Sequence, residues 1–228
     1  MLQLHNVRKS YTTADFAQVA LDDVSIAFRD NEFVAILGPS GSGKTTLLNI
    51  VGGLDRPSAG SVLVDGRDLA SMDDERLAIY RRQQVGFVFQ SFNLIPTMTA
   101  RRNVELPLLF AGASLEERSL RAAAALESVG LGHRMDHTPM ELSGGEQQRV
   151  AVARAVVNEP SIMLADEPTG NLDTRTGGEI LDLIKQMHAD GRTFLITTHD
   201  RSVAESVADR IVTIVDGAID HIERRGVL

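Results

Sequence analysis

Gly38-Pro39-Ser40-Gly41-Ser42-Gly43-Lys44-Thr45 has the pattern G-x-x-x-x-G-K-S/T. Its flanks decide what it means. Phe33-Val34-Ala35-Ile36-Leu37 is an apolar run of buried-strand length, and Thr46-Leu47-Leu48-Asn49-Ile50-Val51 reads as the helix that follows. Strand, glycine loop and helix form the context in which such a loop grips phosphate. Glycines let the backbone approach an anion, and the unpaired N–H groups of a helix start point at it. Lys44 adds a full positive charge for β- and γ-phosphates, and the Thr45 hydroxyl is placed to bind Mg²⁺. The stretch implies a nucleoside-triphosphate site.

Working outward, 228 residues suffice for one large domain or a core with an inserted subdomain. A net charge of −8 argues against a surface that wraps nucleic acid. The absence of cysteine excludes disulfides, a thiolate zinc site and a cysteine nucleophile. The start, Met1 to Arg8, lacks the apolar core of a signal peptide. No run approaches the ~20 apolar residues that span a bilayer, so work at a membrane would need a partner.

Leu2–Val7 and Val24–Phe28 alternate with period two and predict a β-rich opening. Gly52-Gly53 stop the first helix, Ser61–Gly66 is a short strand into a turn, and Val85–Phe89 is a strand ending at Gln90. From Ser91 to about Ala155 the texture is helical, with helices expected at Glu116–Val129 and Glu146–Val157. Strand character returns at Ser161–Ala165 and Thr193–Thr197, with a helix at Thr176–His188 between them. Arg210–Val215 and Ala218–Ile222 flank Asp216-Gly217 as a hairpin. Alternating strands and helices around a phosphate loop predict an α/β sheet with ligands at the carboxyl ends of its strands.

Hydrolysis needs further groups. Ile162-Met163-Leu164-Ala165 delivers two adjacent carboxylates, Asp166 and Glu167, at a strand end. Side chains alternate along a strand, so Asp166 is assigned to the metal shell and Glu167 to general base. His199 follows another apolar strand and is placed to hydrogen-bond the γ-phosphate. Gln90, at its own strand end, joins the catalytic and metal-binding groups. His133 and His137 stand four apart in a loop with no further ligand nearby, which argues against a metal pair. Arg81-Arg82, Arg101-Arg102 and Arg224-Arg225 read as solvated faces that could also meet anionic lipid or a membrane partner.

Leu142-Ser143-Gly144-Gly145-Glu146-Gln147-Gln148-Arg149 resembles the signature motif of the nucleotide-binding subunit of ATP-binding-cassette (ABC) transporters. The resemblance covers essentially the whole chain. It implies that Tyr11 stacks on adenine, that Gly38–Thr45 with Thr46 is the Walker A loop, and that Gln90 is the Q-loop. It makes Ile162–Asp166 Walker B, Glu167 the catalytic glutamate, Gly170–Asp173 the D-loop and His199 the switch histidine. Thr45-Thr46 replaces the commoner Ser-Thr pair but keeps the Mg²⁺ hydroxyl. Physically, Ser143, Gly144, Gly145 and the helix from Glu146 suit a second anion site. The resemblance implies that this site closes over the ATP of a second copy in a head-to-tail homodimer, with Asp173 beside it.

The implied fold is a P-loop NTPase (RecA-like) α/β core with an antiparallel β subdomain and an inserted helical subdomain. Residues 1–90 and 156–228 would form the core and β subdomain, and 91–155 the helical subdomain. Phe89–Pro96, Asn103–Leu108 and Ala165–Asp173 resemble the cassettes of macrolide exporters, lipoprotein-releasing complexes, haem exporters and peptide-resistance pumps. That subgroup implies ATP and Mg²⁺, and an integral membrane permease with a large extracytoplasmic domain. The cassette would sit on the cytoplasmic face of the membrane, docking through Phe92, Leu94 and Ile95. Chromosome-maintenance ATPases carry long coiled coils that this chain lacks. A cell-division regulator that moves no cargo is left open by the motifs.

Overall fold

The computed structural model describes residues 1–12 and 17–224; Arg225, of the last arginine pair, lies outside them. Along the chain run β1 (Leu2–Thr12), β2 (Ala17–Phe28), β3 (Phe33–Leu37), α1 (Lys44–Val51), β4 (Ala59–Val64), β5 (Arg67–Asp68), α2 (Asp74–Gln84) and β6 (Val85–Val88). Then come α3 (Ala100–Phe110), α4 (Leu115–Ser128), α5 (Gly144–Val156), β7 (Ile162–Asp166), α6 (Thr174–Ala189), β8 (Thr193–Thr198), α7 (Arg201–Val207), β9 (Arg210–Val215) and β10 (Ala218–Arg224). By packing they divide into a unit of Met1–Arg81 with Gly191–Leu228 and a unit of Arg82–Asp190. The architecture is mixed α/β with an antiparallel sheet and a helical part, as expected for a P-loop NTPase.

In the first unit the period-two runs pair as read. β1 lies between β2 and β4, antiparallel to both, with Leu4 opposite Ile26 and Val62. Leu2 and Leu4 are buried on one core face, and an irregularity in the β1–β2 register before Val7, with Asn6 at φ 48°, buries Val7 out of strict alternation. β3 lies between β8 and β9, parallel to both, and all of β8 is buried. Burial on both faces is why these strands read as unbroken apolar runs. Phe33 and Phe194 stack with centroids 5.2 Å apart, and Arg210 pairs with Glu32 at 2.7 Å with both side chains nearly buried. β9 and β10 form the expected hairpin, with Asp216 at φ 48° and Gly217 at φ 80° supplying the two left-handed turn residues.

In the second unit β6 and β7 are parallel, with Val88 opposite Ala165. α5 supplies much of the core, burying Val150, Ala151, Val152 and Ala153. It starts at Gly144, two residues before the expected Glu146, because Ser143 and Glu146 form a reciprocal capping box that outweighs two glycines. α2 and α7 escaped the sequence reading. α2 buries only Leu77 and Tyr80, and α7 only Ala204, so neither carries an amphipathic stripe. Among the described residues no helix is long and apolar enough to cross a membrane.

Candidate functional site

In the first unit, the loop from Gly38 to Gly43 joins buried β3 to α1. Gly43 stands at φ 102°, and an added Cβ would overlap the carbonyl oxygen of Ala20 on β2, so only glycine serves there. Gly217 N–H donates to the Ser42 carbonyl at 3.1 Å, fixing the loop to the β9–β10 turn. Lys44 is 5% exposed, and its Nζ donates to the carbonyls of Gly38 and Pro39 at 2.9 Å each. The ammonium is thus held inside the ring of loop backbone that a phosphate would enter. α1 has a glycine N-cap, no side-chain cap among the described residues and no acid in its first turn. Ser42 Oγ is buried without a partner among the described residues, a polar atom left for a ligand. These features fit a triphosphate with its Mg²⁺.

Tyr11 comes to the same helix. Its ring is half exposed, its hydroxyl interacts with that of Thr46, and it donates to Asp55 Oδ2 at 2.7 Å. Lys9 Nζ lies 4.8 Å from the ring centroid and 2.5 Å from Asp55 Oδ1. Partial burial and the bond to Asp55 push the phenol up from its ordinary value. Partial burial would raise Asp55, but its bonds from Lys9, Tyr11 and the Arg56 N–H hold it below the usual carboxylate range. His199 follows Thr198, the partner of Leu37 across β3 and β8, so it leaves β8 at the strand end where the Gly38 loop leaves β3. Asp200 next to it caps α7 through Ser202.

In the second unit, β6 and β7 pair as far as Val88 and Ala165. Gln90 and Glu167 each follow two residues beyond that pair, at the same end of the two parallel strands. Glu167 stands at φ 42°, a strained conformation for a glutamate, and Gly170 N–H closes the turn on its carbonyl at 2.9 Å. Asn171 Nδ2 donates to the Gln90 carbonyl at 3.0 Å, and Gln90 Nε2 reaches Asn171 Oδ1 at 3.5 Å. The acidic strand end, the glutamine and the Gly170–Asp173 turn are therefore one cluster.

Ser143 and Gly144 are exposed at the start of α5. The Ser143 hydroxyl accepts from Glu146 N–H at 3.3 Å, and Glu146 Oε2 accepts from Ser143 N–H at 2.8 Å. That backbone bond, with Arg134 at 3.3 Å, holds the Glu146 carboxyl below its usual range. Gly145 answers to packing, since an added Cβ would overlap Thr176 Cγ2 on α6. Asp173 is the N-cap of α6, accepting from the Thr176 hydroxyl at 2.7 Å and from the Arg175 and Thr176 N–H groups at 3.1 Å. Thr176 thus ties the start of α5 to the turn that carries Asp173.

Sequence reasoning passed over three side chains that organise this unit. Gln148 is fully buried, and its Nε2 donates to the Pro168 carbonyl at 2.7 Å and the Phe89 carbonyl at 3.5 Å. Its Oε1 is buried without a partner among the described residues, which costs about 1–3 kcal/mol. Arg154 donates to the carbonyls of Phe92 at 2.7 Å and Asn93 at 2.5 Å, both left-handed at φ 59° and 50°. Buried Asn103 accepts from Ile95 N–H at 2.7 Å and donates to the Met98 and Thr99 carbonyls. Of the apolar residues read as docking points, Ile95 is 37% exposed while Phe92 and Leu94 are half-buried. The signal for Gln148 was present: it shares a helix face with buried Ala151, Val152 and Ala155.

Comparisons with known proteins agree on one family. The family model described as ABC transporter matches residues 21–170. An uncharacterized ABC transporter ATP-binding protein of Thermotoga maritima is 51% identical over 228 residues, covering 100% of this chain and 97% of its own. The macrolide export ATP-binding/permease protein of Brucella melitensis is 49% identical over 219 residues, which are 96% of this chain and 34% of that protein. A solved dimeric ATP-binding cassette in a post-hydrolysis state, bound to ADP and phosphate, superimposes with a TM-score of 0.92 at 46% identity. That match covers 99% of this chain and 100% of the cassette.

Proposed function

The chain belongs to the ABC transporter family and is an ATP-binding ATPase of it, and from that premise we propose that two copies act head to tail as the motor of a membrane exporter. The observation that carries the reading is the turn after β7, where Gly170 N–H closes on the Glu167 carbonyl and Asn171 bonds the Gln90 carbonyl. On this reading Lys44 and the loop from Gly38 to Thr46 hold the phosphates, and Tyr11 stacks on the adenine. Thr45, Asp166 and Gln90 hold Mg²⁺, which when bound neutralises phosphate charge. Glu167 takes a proton from the attacking water onto its carboxylate, and His199 hydrogen-bonds the γ-phosphate.

Ser143, Gly144, Gly145 and Asp173 serve the second copy's nucleotide. Their support is the exposure of Ser143 and Gly144 on a helix N-terminus, together with the similarity to a dimeric cassette. Residues 91–155 form the helical subdomain, and its Phe92–Ile95 stretch meets the permease. Similarity to ATP-binding/permease proteins of macrolide export supports an exporter-type permease; the proposal gives that permease a large extracytoplasmic domain and sets the cassette on the cytoplasmic face of the membrane.

The test is Glu167→Gln, followed by ATPase assay and by size-exclusion chromatography with light scattering. Hydrolysis is expected to fall about 10²–10⁴-fold while a dimer appears only with ATP and Mg²⁺. Wild-type turnover in the variant rejects Glu167 as the base. A variant that binds ATP yet stays monomeric, with and without permease, rejects the head-to-tail pair.

A further inference from the structure

Gln148 is the side chain of α5 that packing alone would exclude. Buried helix positions beside it hold alanine and valine, yet a primary amide occupies this one with its oxygen unpaired among the described residues. Both of its partners are carbonyl oxygens, so the NH₂ group must face them. One partner belongs to Pro168, the residue after Glu167, and the other to Phe89, the residue before Gln90. The Glu167 backbone is left-handed, and such strain persists only where surrounding contacts over-determine it. The 2.7 Å bond to the Pro168 carbonyl is such a contact, reaching in from the helix that starts at Ser143.

We propose that Gln148 is a positioning residue for hydrolysis, its amide fixing the Glu167–Pro168 peptide relative to α5. A shift of α5 then moves the Glu167 carboxylate directly. The inference deepens the reading of Glu167 as the base and rests on it.

The experiment uses the full chain with ATP and Mg²⁺. Gln148→Met keeps the length of the side chain and removes the donor; Gln148→Leu removes it with a second apolar shape. Each is expected to lower kcat about 10–100-fold while KM for ATP stays within about twofold, the mark of misplaced chemistry with nucleotide binding intact. Because Gln148 acts through Glu167, adding Gln148→Met to Glu167→Gln should leave the residual rate unchanged within about twofold. A purely structural role would lower the melting temperature, move KM with kcat and lower the rate of the double variant further. Wild-type kcat in both single variants, or additive loss in the double variant, overturns the proposal. If Gln148→Met does not fold, the kcat-against-KM split of Gln148→Leu decides. A Glu167→Gln protein that turns over normally places the fault in the reading of Glu167 instead.

Discussion

The first turns of α1 and α5 invite comparison, because each puts glycine and serine at a helix start yet meets an anion differently. α1 begins at Gly43 with no side-chain cap among the described residues and no acid, and its first residue is Lys44. α5 begins at Ser143 with a complete capping box, and the carboxylate of Glu146 rests on its N-terminus. A helix start carries roughly half a positive charge. In α1 that charge and the lysine are both directed to a ligand of the chain itself. In α5 the charge is already answered, so an incoming phosphate must compete with Glu146. On the proposed function, affinity for nucleotide in a single copy resides at α1, and α5 contributes once a second copy is present.

The largest effect expected from this contrast comes from Lys44→Ala. Loss of one pre-placed cationic donor should lower ATP hydrolysis about 10²–10³-fold and weaken nucleotide binding by one copy in calorimetry. Ser143→Ala removes a cap worth about 1 kcal/mol and should leave that single-copy affinity unchanged. Equal losses in the two titrations would break the contrast.

How legible these two ends were in the sequence follows from the kind of interaction each uses. The α1 end depends on neighbours in the chain: the run Phe33–Leu37, the loop glycines and Lys44 are contiguous, and the structure keeps their order. The hairpin at Asp216-Gly217 and the strands β7 and β8 were readable for the same local reason. The capping box Ser143-x-x-Glu146 was also local, yet two glycines concealed it and the helix was expected from Glu146. The remaining organisation is non-local. Tyr11 and Asp55 are 44 residues apart, and Arg154 and the Phe92 carbonyl are 62 apart, so no spacing rule reveals them. Asp173 was read from a motif as a nucleotide contact, and what the geometry gives it is the work of capping α6.

A smaller effect concerns why α5 begins with two glycines. Gly145 faces Thr176 Cγ2 with no room for a methyl group. Gly145→Ala should destabilise the protein by about 1–3 kcal/mol in urea melts, as overpacking does. Thr176→Ser removes the offending methyl and keeps the hydroxyl that bonds Asp173. The Gly145→Ala penalty should therefore shrink in a Thr176→Ser background. An undiminished penalty would mean that glycine is needed at 145 for the backbone of the α5 start and not for its approach to α6.

The smallest effect sharpens the contrast most. Glu146→Gln retains the capping geometry, because an amide oxygen can still accept from Ser143 N–H, and it deletes only the charge. The change should favour an anion at α5 by roughly 0.3–1 kcal/mol. In a Glu167→Gln background the ATP concentration giving half-maximal dimer should then fall about two- to fivefold, read by light scattering. Lowering the pH is no substitute. The Ser143 N–H holds the Glu146 carboxyl below the ordinary value of about 4.3, so the charge and its contribution to the cap persist above that value and are lost only as pH falls through the depressed one. Acid strong enough to discharge Glu146 also acts on every other depressed carboxylate, Asp55 and Asp173 among them, which leaves the substitution as the clean probe. If dimerisation needs the same ATP concentration with and without the charge, the second copy's phosphates do not settle on the α5 end. The box of Ser143 and Glu146 would then be a helix cap alone, and the contrast with α1 would hold for local structure without reaching function.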